Sequence, residues 1–141
     1  NKRSGMMGMT GYGDLREVHR LVSEGNEDAK LALDVYVHRI VGYIGNYTAQ
    51  MGGVDVITFT AGVGENDDVV RKMVCDKLAP FGVKLDEEKN ATRSKEPRII
   101  STPDSAVTIC VIPTNEELAI ARKSAAIAEE GKDSYGNVFS K

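Results

Sequence analysis

At 141 residues, with 41% apolar and 28% charged, the chain has the size of one domain and enough apolar matter to bury a core. Lys+Arg 18 against Asp+Glu 21 leave a net charge of −3, so no bulk basic field exists to hold a polyanion by counterion release, which argues against nucleic acid. No apolar run approaches the roughly 18–20 residues of a membrane span, and the N-terminus lacks an apolar signal-peptide core. Together with two cysteines, Cys75 and Cys110, that share no CxxC or Cys/His pattern, this sets the expectation of a reduced, cytoplasmic protein with no membrane partner.

Residues 1–13 hold Gly and Met without a period for helix or strand and read as loop, with Met6, Met7 and Met9 expected to be covered. Residues 14–25 follow as a short helix capped by Asp14, with Leu15, Val18, Leu21 and Val22 at helical spacing and Gly25 at its end. The spacing of Leu33, Tyr36, Val37, Ile40, Val41, Ile44, Tyr47 and Met51 predicts a helix over 27–51, about 35 Å long, as a core strut. His19 and His38 have no metal-ligand spacing around them and read as ordinary surface or packed histidines.

VDVITFT, residues 54–60, is β-branched and aromatic and predicts a strand buried on both faces. A helix capped by Asn66 or Asp67 follows, carrying Val69, Val70, Met73, Val74 and Leu78 at helical spacing until Ala79-Pro80. Residues 81–85 read as a short strand, 86–97 as a charged connection, and 98–101 and 107–112 as two strands joined by the turn TPDS. A last helix is expected over 116–129, with Leu118, Ile120, Ala121, Ala125 and Ile127 available for packing, before a disordered tail over 131–141. No repeat or linker interrupts the chain, so 1–141 reads as one α/β domain.

TAGVGEN, residues 60–66, lies where the buried strand feeds a helix N-terminus. Open α/β sheets bind ligands at such a rim, and glycine lets a ligand approach bare main chain. The bland alternative is that Gly62 and Gly64 merely permit a tight turn. Among ligand motifs, the absence of GK[ST] excludes a Walker A loop. A dinucleotide fingerprint is incomplete, because Asp67 stands where its third small residue belongs, although Asp86 mimics its ribose-binding acid. The third possibility is the adenosine-binding turn of the sugar kinase, actin and Hsp70 superfamily.

DVITFTAGVGEN, then FGVKLDEEKN, ISTPD and VIPTNEELAIAR, in this order, with NKRSG at the start and DLR at 14–16, resemble the C-terminal part of the acetate kinases over residues 1–122. The resemblance implies a ribonuclease H-like (actin-like ATPase) domain, the C-terminal half of a two-domain, homodimeric enzyme. It also implies phosphoryl transfer between ATP and acetate, giving ADP and acetyl phosphate. Asp14, Leu15 and Arg16 match a segment that contacts adenosine, and Gly62, Val63, Gly64, Glu65 and Asn66 match the adenosine loop. Glu116, first glutamate of PTNEE, matches the carboxylate associated with Mg²⁺. A phosphate-bound hard cation needs only one or two protein carboxylates; without the resemblance Glu116 reads as a glutamate favoured by the helix dipole.

The family's catalytic arginine, aspartate and histidine precede the matched segment, so no catalytic residue is assigned here. Acetate and acetyl phosphate would reach the protein through that preceding portion. The chain alone is expected to be an inactive fragment. Two alternatives stand beside this reading. One is a propionate or butyrate kinase, since the acyl pocket is outside the segment; the other is a stand-alone ATP-binding or dimerisation module.

Overall fold

The computed structural model describes residues 4–130, with the side chains of 116 and 128–130 outside the description. The expected tail at 131–141 and the first three residues of NKRSG therefore lie outside the described residues. In chain order the elements are α1 (Gly5–Thr10), α2 (Leu15–Ser23), α3 (Glu27–Met51), β1 (Val56–Phe59), α4 (Ala61–Asn66), α5 (Asp68–Lys77), a 3₁₀ turn (Ala79–Phe81), α6 (Glu87–Ala91), β2 (Arg98–Ile99), β3 (Thr108–Val111) and α7 (Glu116–Glu130).

The long helices start and stop where the sequence places them. Asp14 caps α2 by accepting from the Arg16 N–H, Asn26 caps α3 through Ala29, and Gly52 closes α3 in the left-handed region that glycine enters freely. Asp67, the second of two expected candidates, caps α5 through the Val70 N–H.

The three strands run in the order β1-β3-β2. β1 and β3 are parallel, with Ile57 opposite Ile109 and Phe59 opposite Val111; β2 is antiparallel to β3, with Arg98 opposite Val111. Side chains alternate across a strand, so Phe59, Ile109 and Val111 share the inner face. They join Val18, Leu33, Val37, Val70, Val74 and Ile100 in one buried cluster that ties α2, α3 and α5 to the sheet. Full burial of each such side chain is worth about 1.5–3 kcal/mol.

Several expectations are corrected. The N-terminal loop contains helix α1, whose Met6 packs on the core while Met7 and Met9 are exposed. The strand at 54–60 is not buried on both faces: Val56 and Thr58 are exposed, because among the described residues nothing covers the outer face of the sheet. No strand forms at 81–85, where a 3₁₀ turn and Gly82 leave only a bridge from Leu85 to Ser101. The charged connection contains α6, capped by Asp86 through Lys89, which accounts for that aspartate without a ribose. The α3 stripe packs on the core from Leu33 as far as Ile44, while Tyr47 and Met51 at its end are exposed. In α7, Leu118, Ile120, Ala121, Ala125 and Ile127 are all exposed rather than packed.

Candidate functional site

At the C-terminal end of β1 the chain does not make a glycine turn. Thr60 leads into α4, and the unusual backbone belongs to Ala61, whose φ of 57° is the single positive value at a non-glycine among the described residues. The left-handed region costs an L-residue about 1–2 kcal/mol, so Ala61 must be held there. Thr114, in PTNEE, supplies the hold. Its hydroxyl accepts from the Ala61 N–H at 3.2 Å and lies 3.1 Å from the Thr60 hydroxyl. Glu65 closes the clamp: one carboxylate oxygen accepts from the Thr114 N–H at 2.6 Å and from its hydroxyl at 2.9 Å. These bonds, the backbone one first, hold the Glu65 carboxyl below its ordinary value.

The two glycines do different work. Gly62 adopts ordinary helical backbone, and a Cβ there would meet nothing within 4 Å. A Cβ on Gly64 would stand 3.3 Å from the Phe59 carbonyl carbon, so Gly64 lets α4 pack down on β1. Asn66 folds its amide back to the Gly62 carbonyl at 2.8 Å, leaving Oδ1 without a partner among the described residues.

Underneath, buried Arg71 anchors the loop. Its guanidinium donates to the Gly64 and Glu65 carbonyls, each at 2.9 Å, and to the Asn90 side chain and carbonyl at 2.7 and 2.8 Å. Carbonyls at the end of α4 carry the negative pole of the helix, which suits a cation. Burial, and then the nearby Arg98 guanidinium, lower the Arg71 pKa.

The second segment sits across from this loop. Asp14 caps α2 and grips the Arg16 side chain, with Arg16 nitrogens at 2.6 and 3.1 Å from its carboxylate. That contact first, and the Arg16 N–H second, hold Asp14 down to about 2. Between the segments lies a cleft of about 780 Å³. Asp14, Leu15 and Arg16 line one side and Gly62, Val63 and Asn66 the other, so two stretches nearly fifty positions apart in the chain meet at one opening. Met6, Leu15, Tyr36 and Val63 give it apolar walls, while Asp14, Arg16, Asn66 and Arg93 give it polar ones, the mixture expected of a small-molecule site.

Of the expected site residues, Gly64 and Glu65 do not line this cleft. Gly64 serves packing and Glu65 serves the Thr114 clamp. Glu116 begins α7 two residues after Thr114, and its side chain lies outside the described residues. Among the described residues no group of three or more His, Cys, Asp or Glu converges as a metal site.

Sequence reasoning missed Met6, Gly13, Asp67 and Arg93 as lining, and Arg71 and Thr114 as supports. Arg71 was within reach of the sequence: it stands on the stripe Val70, Val74, Cys75, Leu78, a charge among core positions. Tyr36 was expected only as core, yet it is half-buried at the cleft wall, where burial first and the Asp67 charge second raise its pKa. His19, read as ordinary, pairs with Asp67 at 2.7 Å and so steadies the α5 cap beside the cleft.

The sequence profile of the Acetokinase family matches residues 1–122. Acetate kinase from Carboxydothermus hydrogenoformans is 57% identical over 124 residues, which are 88% of this chain and 31% of that protein. Among solved structures, Porphyromonas gingivalis acetate kinase aligns with a TM-score of 0.81 at 43% identity, covering 91% of this chain and 32% of that one. A propionate kinase from Francisella tularensis aligns at 0.77 and 39% identity over 86% of this chain and 31% of its own. The fold is that of the matching segment of these kinases, the actin-like ATPase fold. The chain spans about a third of the length of the relatives it matches.

Proposed function

The chain belongs to the acetokinase family, and from that premise we propose that it is the nucleotide-binding part of a kinase that passes a phosphoryl group between ATP and acetate. The observation that carries this reading is the meeting of Asp14, Leu15 and Arg16 with Gly62, Val63 and Asn66 around one cleft. A purine nucleoside fits its chemistry. Leu15, Val63 and Tyr36 would flank the base, the free Asn66 Oδ1 would accept from an exocyclic amine, and bare main chain at Gly62 would admit close approach. Glu65 and Gly64 contribute by holding that main chain in place.

Phosphoryl transfer rests on alignment and charge neutralisation rather than covalent work by the protein. This chain's share is to fix the donor end of the nucleotide. Magnesium would be held by Glu116 together with the phosphates, neutralising their oxygens, which suits a cation that takes few protein carboxylates. Acetate and acetyl phosphate would be handled by the remaining two thirds of the relatives' length. The likeness to a propionate kinase supports a second acceptor, propionate, and the ratio of kcat/KM for the two acids on the intact protein decides between them. The exposed Tyr43, Tyr47 and Met51 along the end of α3 support a homodimer, tested by sedimentation. A cytoplasmic setting accords with two free cysteines, Cys75 and Cys110.

The test uses Gly62→Ala. Its methyl group would stand in open space, so thermal stability should be unchanged while ATP affinity falls by about tenfold or more, read by calorimetric titration. Wild-type affinity in a folded Gly62→Ala variant would end the proposal.

A further inference from the structure

Beside the nucleotide cleft, a second pocket of about 360 Å³ opens between the end of α4, the start of α5 and the segment 91–98. Its charge is unbalanced. Arg71, Arg93, Lys95 and Arg98 line it against Glu65 and Asp68, four cations against two carboxylates, and Glu65 keeps its charge while one of its oxygens bonds Thr114. No ion pair links any of the four cations to a carboxylate among the described residues, although eight such pairs form elsewhere. Arg98 is the most telling member. One of its terminal nitrogens donates to the Ser94 carbonyl at 3.2 Å; its Nε is buried with no acceptor, and its other terminal nitrogen has no bond, among the described residues. A buried donor without a partner costs about 1–3 kcal/mol. The like charge of Arg98 also weighs on Arg71.

We propose that this pocket binds a phosphate-class dianion through Arg98, Lys95, Arg93 and the Ser94 hydroxyl, with buried Arg71 as a fixed positive floor. A phosphate offers several acceptor oxygens, enough to meet the remaining terminal nitrogen of Arg98 and to neutralise the surplus charge, and its tetrahedral shape suits guanidinium donors from several directions. Glu65 and Asp68 are the carboxylates of the lining, and they limit the site to an ion that several cations can hold against them. Asn66 and Arg93 line both this pocket and the cleft. The anion can therefore be free phosphate, or a phosphate carried by a nucleotide lodged next door. The proposal does not depend on the nucleotide reading, since Lys95 and Arg98 do not line the cleft.

Inorganic phosphate titrated into the intact protein at constant ionic strength, with chloride as the balancing ion, should give one saturable heat in calorimetry. Lys95→Gln and Arg98→Gln should each weaken it by about tenfold, the effect of losing one charge-assisted contact. Lys95 is exposed and holds no ion pair among the described residues, so that variant should melt with the wild type. Repeating the titration in saturating ADP separates the sources: persistence marks free phosphate, and competition marks the nucleotide's own phosphates. A heat that never saturates, or an affinity equal in wild type, Lys95→Gln and Arg98→Gln, overturns the site.

Discussion

Helices α5 and α7 each follow a strand of the same sheet, and both carry apolar residues at helical spacing. Yet α5 buries Val70, Val74 and Cys75, whereas Leu118, Ile120 and Ile127 of α7 remain open. The difference is one of neighbours. α5 lies against α3 and the inner sheet face, which this chain supplies. Among the described residues nothing buries Leu118, Ile120 or Ile127 of α7, or Val56 and Ile99 on the outer sheet face. Spacing reveals which side of a helix is apolar; it says nothing about whether the surface that meets it belongs to the same stretch of chain.

The contrast is sharpest in paired core substitutions. Ile109→Ala should cost about 2–5 kcal/mol in denaturant unfolding, and Ile120→Ala under about 0.5. Equal costs would mean that α7 is packed after all. Next in size, Arg71→Met should cost about 3 kcal/mol, because four acceptors, two of them Gly64 and Glu65 carbonyls, lose their donor. The same variant should loosen α4, seen as faster amide exchange there.

A finer division runs between the glycines. Gly64→Ala should be less stable than Gly62→Ala by about 1–2 kcal/mol, since its methyl group presses on Phe59 main chain and the other meets none. Reversal of that order in thermal melts would contradict the packing described for α4. The smallest effect is in pH. Both Asp14 and Glu65 have depressed folded-state values. Their contribution is therefore complete above the ordinary carboxylate values of 3.8 and 4.5 and lost as pH falls, for Asp14 through about 2. Acid should loosen the rims of the cleft before the core, and Glu65→Gln should remove its share of that dependence in NMR line shapes of residues 60–66.

Much of this was legible in the sequence, for local reasons. Asp14, Asn26 and Gly52 mark helix ends because capping is settled within a few residues. The strand at Val56–Phe59 and helix α5 follow from composition and spacing. The meeting of Asp14 and Arg16 with Gly62 and Asn66 followed from family resemblance, not from local pattern, because no local rule joins residues so far apart in the chain. What escaped was tertiary. The expectation of a glycine turn gave way to α4 because the strain falls on Ala61, which Thr114 stabilises from more than fifty residues away. Glu65 looked like a ligand contact because the resemblance set it in an adenosine loop, yet its carboxylate faces a protein hydroxyl.

Thr114 uses its hydrogen-bonding capacity fully: its hydroxyl proton goes to Glu65, and its oxygen can receive the Ala61 N–H and the Thr60 hydroxyl. TAGVGEN and PTNEE are thereby fastened into a single hinge plate. A shift of the first α4 residues would be passed on to a point two positions before Glu116, which couples the corner after β1 to the start of α7.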